Sequence, residues 1–525
     1  MTSAVAPLRY GSFRTLWVAS VLSAVGTFIQ SVASSWLMFE LTRSNTWVGM
    51  MVASTTLPLL FFALAAGALA DMFDRTKLML LAQGIMGGSA LAMTVLTALG
   101  SITPNLLLGL GLLLGVGVAL NLPTWQALLP DLVPRGMIAS AVALQSAAFN
   151  VARAIGPAIG GALVVAVGPA AGFGINTLTY GFVIAALLIV GRSLTARERH
   201  ATSLGTAIGL GLRYARFTPV FRRLLALVSI FAVTSSVVQA VLPGHTETLG
   251  GNAGTLGILL GAMGAGALLG AFTRQQFLDR FRKRSLMTTI TLFGLSGIGV
   301  GLATTVPVAF VFMFLSGIFW VLTLTNLNAT AQLMAPEWIR GRAMSLYSLA
   351  FGGILPIGAI IAGVLADVVG TGESMIILCS GAVILGIFSP RFGIPTLDEV
   401  VSPEFSAGRE APIHDETVEG GPVLIFNTWK IDEADFDAFT AVMNRVRLVR
   451  LRTGAYRWRL LRNVSDPLRL TELFAVGSWE EHLAQHRRID DASAEVIALA
   501  RSFDRAEGPV TRHLIAVDVE SPPNF

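Results

Sequence analysis

A single cysteine, Cys379, stands among 525 residues, and it lies inside an apolar run. A disulfide framework within the chain is therefore excluded. Charge is scarce too: Asp, Glu, Lys and Arg make up 13% of the residues, where a soluble chain carries about 25%. No phosphate loop of the form Gly-x-x-x-x-Gly-Lys-Ser/Thr occurs, so nothing points to nucleotide hydrolysis. No catalytic set of nucleophile, base and orienting group stands out, and no run of residues has metal-ligand spacing with a full ligand count. The expectation is a protein that is not an enzyme, with no catalytic residues, no cofactor and no metal.

Apolar length is what the chain has in abundance. Hydrophobic residues make up 54% of it, and the mean hydropathy is +0.69. Apolar stretches cover residues 15–40, 46–70, 78–99, 104–129, 138–167, 171–191, 221–243, 253–273, 286–304, 307–333, 343–369 and 374–394. Each has the length needed to cross a hydrocarbon core of roughly 30 Å, which predicts twelve transmembrane helices. The start, MTSAVAPLRYGSFRTLWV, reads as the approach to the first span rather than as a cleavable signal peptide.

The net charge of +5 raises nucleic acid as a partner. The basic residues, however, are scattered over many short loops, which fits membrane topology and not a phosphate-binding stripe. Loops on one side carry Arg75, Lys77, Arg135, Arg192, Arg213, Arg216, Arg222, Arg223, Arg274, Arg280, Arg340 and Arg342, whereas the opposite loops carry Arg43 and little else. The positive-inside rule then places both termini in the cytoplasm, with the lipid bilayer as partner and no nucleic acid.

The membrane region repeats. NLPTWQALLPDLVPRG (121–136) resembles NLNATAQLMAPEWIRG (326–341): Asn121 and Arg135-Gly136 match Asn326 and Arg340-Gly341, and, across one gap, Gln126, Pro130 and Asp131 match Gln332, Pro336 and Glu337. The next span continues the match, pairing Ile155-Gly156 with Ile357-Gly358 and Gly168 with Gly370. Two like-oriented halves of six spans follow, 1–192 and 221–394, joined by a loop over 193–220, with a substrate site expected near the midplane between them.

Residues 67–77, GALADMFDRTK, carry Gly67, Asp71, Arg75 and Lys77 after the second span, and LDRFRKR (278–284) repeats the theme around Asp279. This segment resembles the Gly-x-x-x-Asp-Arg-x-Gly-Arg-Arg signature loop of the major facilitator superfamily, with Met72 in place of the usual basic residue and Asp74 in place of the usual glycine. In the fifth span, Gly156-Pro157-Ala158-Ile159-Gly160-Gly161 resembles the core of that superfamily's exporter motif, with Ala143 and Ala152 where further glycines usually stand. The resemblance implies a major facilitator fold, gating by these motif residues, efflux, and protons as the coupling ion. Physically, small residues let helices approach and Pro157 bends the span.

Arg153, near the middle of the fifth span, costs about 2.5–3.5 kcal/mol to place in the membrane. It must face a cavity or another helix, and Asn150 and Pro157 share its helical face. Two roles stay open for Arg153: a structural hydrogen-bonding group, or a site for an anionic or polar substrate or for coupling. Gln30, Asn121, Gln126, Gln239, Asn326 and Gln332 are further polar candidates, Trp36, Trp125 and Trp320 could stack on substrate, and each could equally serve packing. Glu40 and Asp367 are the membrane carboxylates, both near span ends.

After a linker over 395–420, residues 421–520 change character. Strand-like VLIFNTWKI (423–431), a helical stretch from Asp432, YRWRLL (456–461), RLTELFAVGSW (469–479), a helical stretch around 480–504 and RHLIAVDV (512–519) follow in the order β-α-β-β-α-β. That order predicts a small α+β ferredoxin-like domain. It is similar to antibiotic-biosynthesis-monooxygenase-like domains, which implies pairing as a dimer or a small-molecule pocket. His482 and His486 could line a pocket, bind a metal or sit at the surface. The whole chain resembles the bacterial transmembrane secretion effector or enterobactin exporter-like branch of the superfamily. That resemblance implies a secondary active exporter of a small amphipathic molecule such as a siderophore or drug-like compound. The alternative is a transporter whose tail binds or modifies a small molecule, or regulates by dimerising.

Overall fold

The structure is a computed structural model, and it describes residues 5–72, 74–191, 204–281, 284–336, 338–395, 422–505 and 508–515. Side chains are not described for 63–72, 127, 135, 139 and 204–210. Arg192, the side chains of Gly67, Asp71 and Arg135, and the expected 395–420 linker beyond residue 395 therefore lie outside the described residues.

In the first half, α1 (Gly11–Thr42), α2 (Asn45–Met72), α3 (Arg75–Ala98), α4 (Pro104–Leu132), α5 (Ile138–Val167) and α6 (Pro169–Val190) match the six expected spans. The second half holds α8 (Pro219–Ser235) with α9 (Val237–Thr248), α10 (Ala253–Phe281), α11 (Ser285–Gly301), α12 (Val306–Met334), α13 (Arg340–Ser348) with α14 (Leu355–Val369), and α15 (Thr371–Phe388). Among the described residues eleven segments are long and apolar enough to cross a membrane. The twelfth expected span, α11, is apolar but only 17 residues long. At 1.5 Å per residue it covers about 25 Å, at the short limit for crossing.

Several boundaries follow from local chemistry. Asp74, the residue that departs from the superfamily loop, caps α3 by accepting from the Lys77 amide at 3.0 Å. Thr103 caps α4 in the same way, ahead of Pro104. The repeat is visible in the backbone: Gly168 (φ 97°) and Gly370 (φ 109°) occupy matching corners, before α6 and α15. Both φ values lie where an L side chain is strained, which is why the two halves share a glycine there.

Four expectations are refined. The expected seventh span is two helices, broken at Ser236. The eleventh contains a π turn at Leu349–Gly353 between α13 and α14. The 193–220 loop contains a helix of its own, α7 (Leu204–Phe217), and Asp279 falls within α10 rather than in the loop after it.

The two halves meet along α5 and α10 with almost no side chain between them. A Cβ on Gly161 would lie 2.9 Å from the Gly257 Cα, and one on Gly257 would lie 2.5 Å from the Pro157 carbonyl oxygen. On the other side of α5, a Cβ on Gly160 would lie 2.9 Å from the Ile29 Cα and one on Gly156 2.6 Å from the Phe28 Cβ. The Gly-Pro-Ala-Ile-Gly-Gly run is thus a close-packing seam on two faces, the use small residues have between membrane helices.

The C-terminal unit contains a four-stranded antiparallel sheet in the order β2-β3-β1-β4, built from β1 (Val423–Lys430), β2 (Arg457–Arg462), β3 (Arg469–Val476) and β4 (Val510–Ile515). With α16 (Phe436–Thr453) after β1, this is the expected α+β ferredoxin-like arrangement. The single helical stretch expected at 480–504 is two helices, α17 (Trp479–Arg487) and α18 (Asp491–Arg501). The first ends at Arg487, and Asp490 starts the second: its carboxylate accepts from the Ser493 amide at 2.8 Å as an N-cap. The alternating burial of β1 sets Ile425, Asn427 and Trp429 on the helix side, where Trp429, Phe439, Met443 and Val446 form the core.

Candidate functional site

A cavity of about 370 Å3 lies within the membrane unit, walled by α1, α2, α4, α5 and α6 of the first half and α9, α10 and α12 of the second. Its wall is mostly apolar, with a few polar groups, the usual composition of a small-molecule site. Of the sequence candidates, Arg153, Pro157, Gln30, Gln239 and Trp320 line it.

Arg153 sits in an aromatic cage. Its guanidinium carbon is 4.7 Å from the Trp320 ring centre, 5.1 Å from Phe149 and 6.0 Å from Phe28. Two of these rings come from the first half and one from the second. Cation–π contacts of this kind stabilise a cation by about 0.5–2 kcal/mol each, more where water is excluded. They do not neutralise it, and among the described residues no carboxylate pairs with Arg153. The cage therefore leaves the charge of Arg153 uncompensated by any carboxylate among the described residues.

Gln30 is buried and oriented. Its Oε1 accepts from Asn176 Nδ2 at 2.6 Å, and its Nε2 lies 3.5 Å from Met93 Sδ. Asn176 also lines the cavity. Sequence reading missed it, because an Asn inside a span with no repeat partner or motif carries no distinguishing signal.

The remaining candidates are placed elsewhere. Asn150 turns back to donate to the Ser146 carbonyl at 2.9 Å. Asn121 accepts from Gln83 at 3.0 Å, and Asn326 donates to Ser285 at 3.0 Å, so these repeat-related asparagines each tie two helices of their own half together. Gln126 and Gln332 are exposed and outside the cavity wall. Glu40 accepts from Trp36 Nε1 at 2.6 Å. In the loop after the second span, Arg75 pairs with Asp131 of α4 at 2.7 Å, Lys77 is exposed, and Asp279 accepts from Gln275 at 3.1 Å.

Asp367 joins the halves. Its carboxylate accepts from the Asn45 amide (2.7 Å), the Thr46 amide (3.0 Å), Asn45 Nδ2 (3.1 Å) and Ser44 Oγ (2.6 Å), capping the N-terminus of α2 from α14. The Arg43–Glu247 ion pair lies at the same end. Asp367→Ala is expected to lower stability by about 1–2 kcal/mol, the range of a lost helix cap. Thermal unfolding of the detergent-solubilised chain measures this, and an unchanged midpoint would contradict the capping role.

The C-terminal unit has a cavity of its own, of about 770 Å3, between the sheet and the helices, where His482, His486 and His513 come together. Among the described residues no group of three or more His, Cys, Asp or Glu is arranged to hold a metal ion.

Residues 2–522 match the family model described as transmembrane secretion effector. The multidrug efflux pump Tap of Mycolicibacterium fortuitum is 26% identical over 403 residues, covering 73% of this chain and 97% of Tap. The enterobactin exporter EntS of Salmonella typhimurium is 25% identical over 379 residues, covering 72% of this chain and 91% of EntS. Among solved structures, an inward-facing, unoccupied bacterial homolog of the human lysosomal transporter Spinster superposes with a TM-score of 0.62 at 14% identity, over 76% of this chain and 99% of that one. All of these are transporters. The family match includes the C-terminal domain, whereas the two curated relatives cover about three-quarters of the chain.

Proposed function

Since the chain belongs to the transmembrane secretion effector family, a branch of the major facilitator transporters, we propose that it is a secondary active exporter of small amphipathic molecules bearing a negative charge. It works by alternating access around the cavity at Arg153. The caged, carboxylate-free Arg153 carries this reading. An apolar wall accepts the body of the molecule, the guanidinium accepts its anionic group, and rings from both halves close around the charge. Export is supported by the functions of the relatives, an efflux pump and an exporter. A siderophore or an acidic drug-like compound fits this chemistry.

Protons are the coupling ion in this proposal. Among the described residues the cavity wall contains no Asp, Glu or His, so the group that carries the proton lies outside the wall, with Glu40 and Asp367 the first to examine. The loop charges support both termini lying on the cytoplasmic side of a bacterial inner membrane. Pairing of two chains through the C-terminal domain is supported by the sheet face opposite the helices, where Leu461 and Leu514 are exposed.

The test is uptake into inverted membrane vesicles of a fluorescent aromatic carboxylate and its neutral amide, with and without an imposed proton gradient. The proton-driven signal is expected for the carboxylate. Equal transport of both compounds removes the anion from the proposal, and gradient-independent transport removes the proton. The mass of the purified chain in detergent decides between one copy and two.

A further inference from the structure

The cavity of the C-terminal unit repeats the chemistry of the membrane cavity. Arg450, only 8% exposed, lies 4.6 Å from the Phe474 ring centre, with Trp429 in the same wall. Arg501 is a second cation in the wall, with Glu495 the one carboxylate among its described residues. Glu472 of β3 lies behind, accepting from Arg450 Nε at 3.2 Å. His482 Nε2 and His513 Nε2 are 3.1 Å apart, and the His486 ring stands edge-on to His482 with centres at 4.8 Å. The result is a space of about 770 Å3 with aromatic walls, imidazole hydrogen-bonding groups and, besides the Arg450–Glu472 pair, the guanidinium of Arg501. That volume suits a drug-sized ligand, for which sites run to roughly 300–1,000 Å3.

The same compact unit includes residues 203–224 and 329–346, which run directly into the seventh, tenth and eleventh membrane segments. Within this unit the C-terminal domain contacts those two stretches at one point each. Arg213 of α7 donates to the Gly454 carbonyl at 2.6 Å. Arg488, just past the end of α17, stacks over Trp338 at 4.9 Å while donating to the Thr453 carbonyl at 2.9 Å and holding Glu481. The helix that carries His482 and His486 into the cavity therefore ends on the loop between two membrane segments.

We infer that the C-terminal domain is a sensor for the transported anion: its cavity binds a planar organic carboxylate of the class exported, and occupancy is passed to the transporter through Arg488 and Trp338. The identity of the ligand class with the cargo rests on the function proposed above. The electrostatics agree. Burial and the nearby cations Arg450 and Arg501, with His513, hold His486 down to about 4; burial, His486, His513 and Arg450 hold His482 down to about 3. A bound carboxylate opposes that field and raises both, so binding takes up protons and tightens as pH falls below neutral.

Isothermal titration of the full chain in detergent with 1-naphthoate, and with 1-naphthamide as the neutral control, tests this. Two naphthoate sites per chain are expected. Arg153→Ala should remove the membrane site and keep the second. Arg501→Gln, at an exposed position where folding is not at risk, should weaken the second by about tenfold or more. Trp338→Ala should keep both sites, but in vesicles the efflux rate should no longer differ from that of the Arg501→Gln chain. One site per chain that Arg501→Gln leaves unchanged would overturn the sensor, as would a second site that binds the amide equally. A single site that Arg153→Ala leaves intact and Arg501→Gln weakens would overturn the membrane proposal and leave the second site standing.

Discussion

Arg153→Ala is expected to cut the export of an anionic substrate by about ten- to a hundredfold, while export of its neutral amide changes little. The magnitude follows from the environment. A hydrogen-bonded charge is worth about 1.5–3 kcal/mol where water is restricted, and each 1.4 kcal/mol is a factor of ten. Arg153→Lys should recover only part of the loss. Lysine keeps the charge, but it cannot present a planar face to Trp320, Phe149 and Phe28 together. Rates in vesicles, measured with both substrates at matched expression, decide the matter. An Arg153→Ala chain that exports the carboxylate at the original rate would mean that the guanidinium serves packing alone.

The second large effect concerns the C-terminal domain. Glu472 is fully buried and accepts from three side chains: Arg450 Nε at 3.2 Å, Trp458 Nε1 at 2.9 Å and Asn427 Nδ2 at 2.8 Å. Asn427 in turn accepts from Thr511 at 2.8 Å, so one carboxylate connects α16 with β1, β2 and β3 directly and with β4 through Asn427. Glu472→Leu leaves a buried guanidinium without its counter-charge, and breaking such a pair from one side costs about 3–5 kcal/mol. The domain within the full chain should become susceptible to limited proteolysis at much lower denaturant. Arg450→Met added to Glu472→Leu should restore most of the resistance, because the pair replaced together by apolar groups is close to neutral. If the double variant is as weak as the single one, the loss comes from the other two hydrogen bonds and not from the orphaned charge.

The membrane architecture was legible because it rests on composition over long windows. Spans, the two halves and the glycine corners at Gly168 and Gly370 all leave marks in the chain itself. The C-terminal strands were legible for a similar reason, since alternation around Asn427 and Trp429 has a fixed period. Site residues were harder. Arg153 was found because a charge in a span is costly, and Pro157 because it sits in a motif. Asn121 and Asn326 were conspicuous through the repeat, yet each turns to a partner in its own half. Gln30 and Asn176 act as a pair only because α1 packs on α6, and no local pattern encodes that contact. The gathering of His513 with His482 and His486 depends on β4 lying beside β1, a matter of sheet order rather than of spacing.

The carboxylate of Asp367 gives the transport cycle an energetic asymmetry. It holds α14 to the start of α2 at the end of the molecule where Arg43 and Glu247 also meet. Separating the halves there exposes four hydrogen bonds to water. Valued as a helix cap, at about 1–2 kcal/mol, this carboxylate alone favours the closed arrangement of that end by roughly five- to thirtyfold. A cargo can reverse that ratio only through a difference in its affinity for the two arrangements, and tight binding that is equal in both shifts nothing. Opening of the Arg43 end must break this cap, which adds about 1–2 kcal/mol to the differential binding asked of the molecule that fills the cavity.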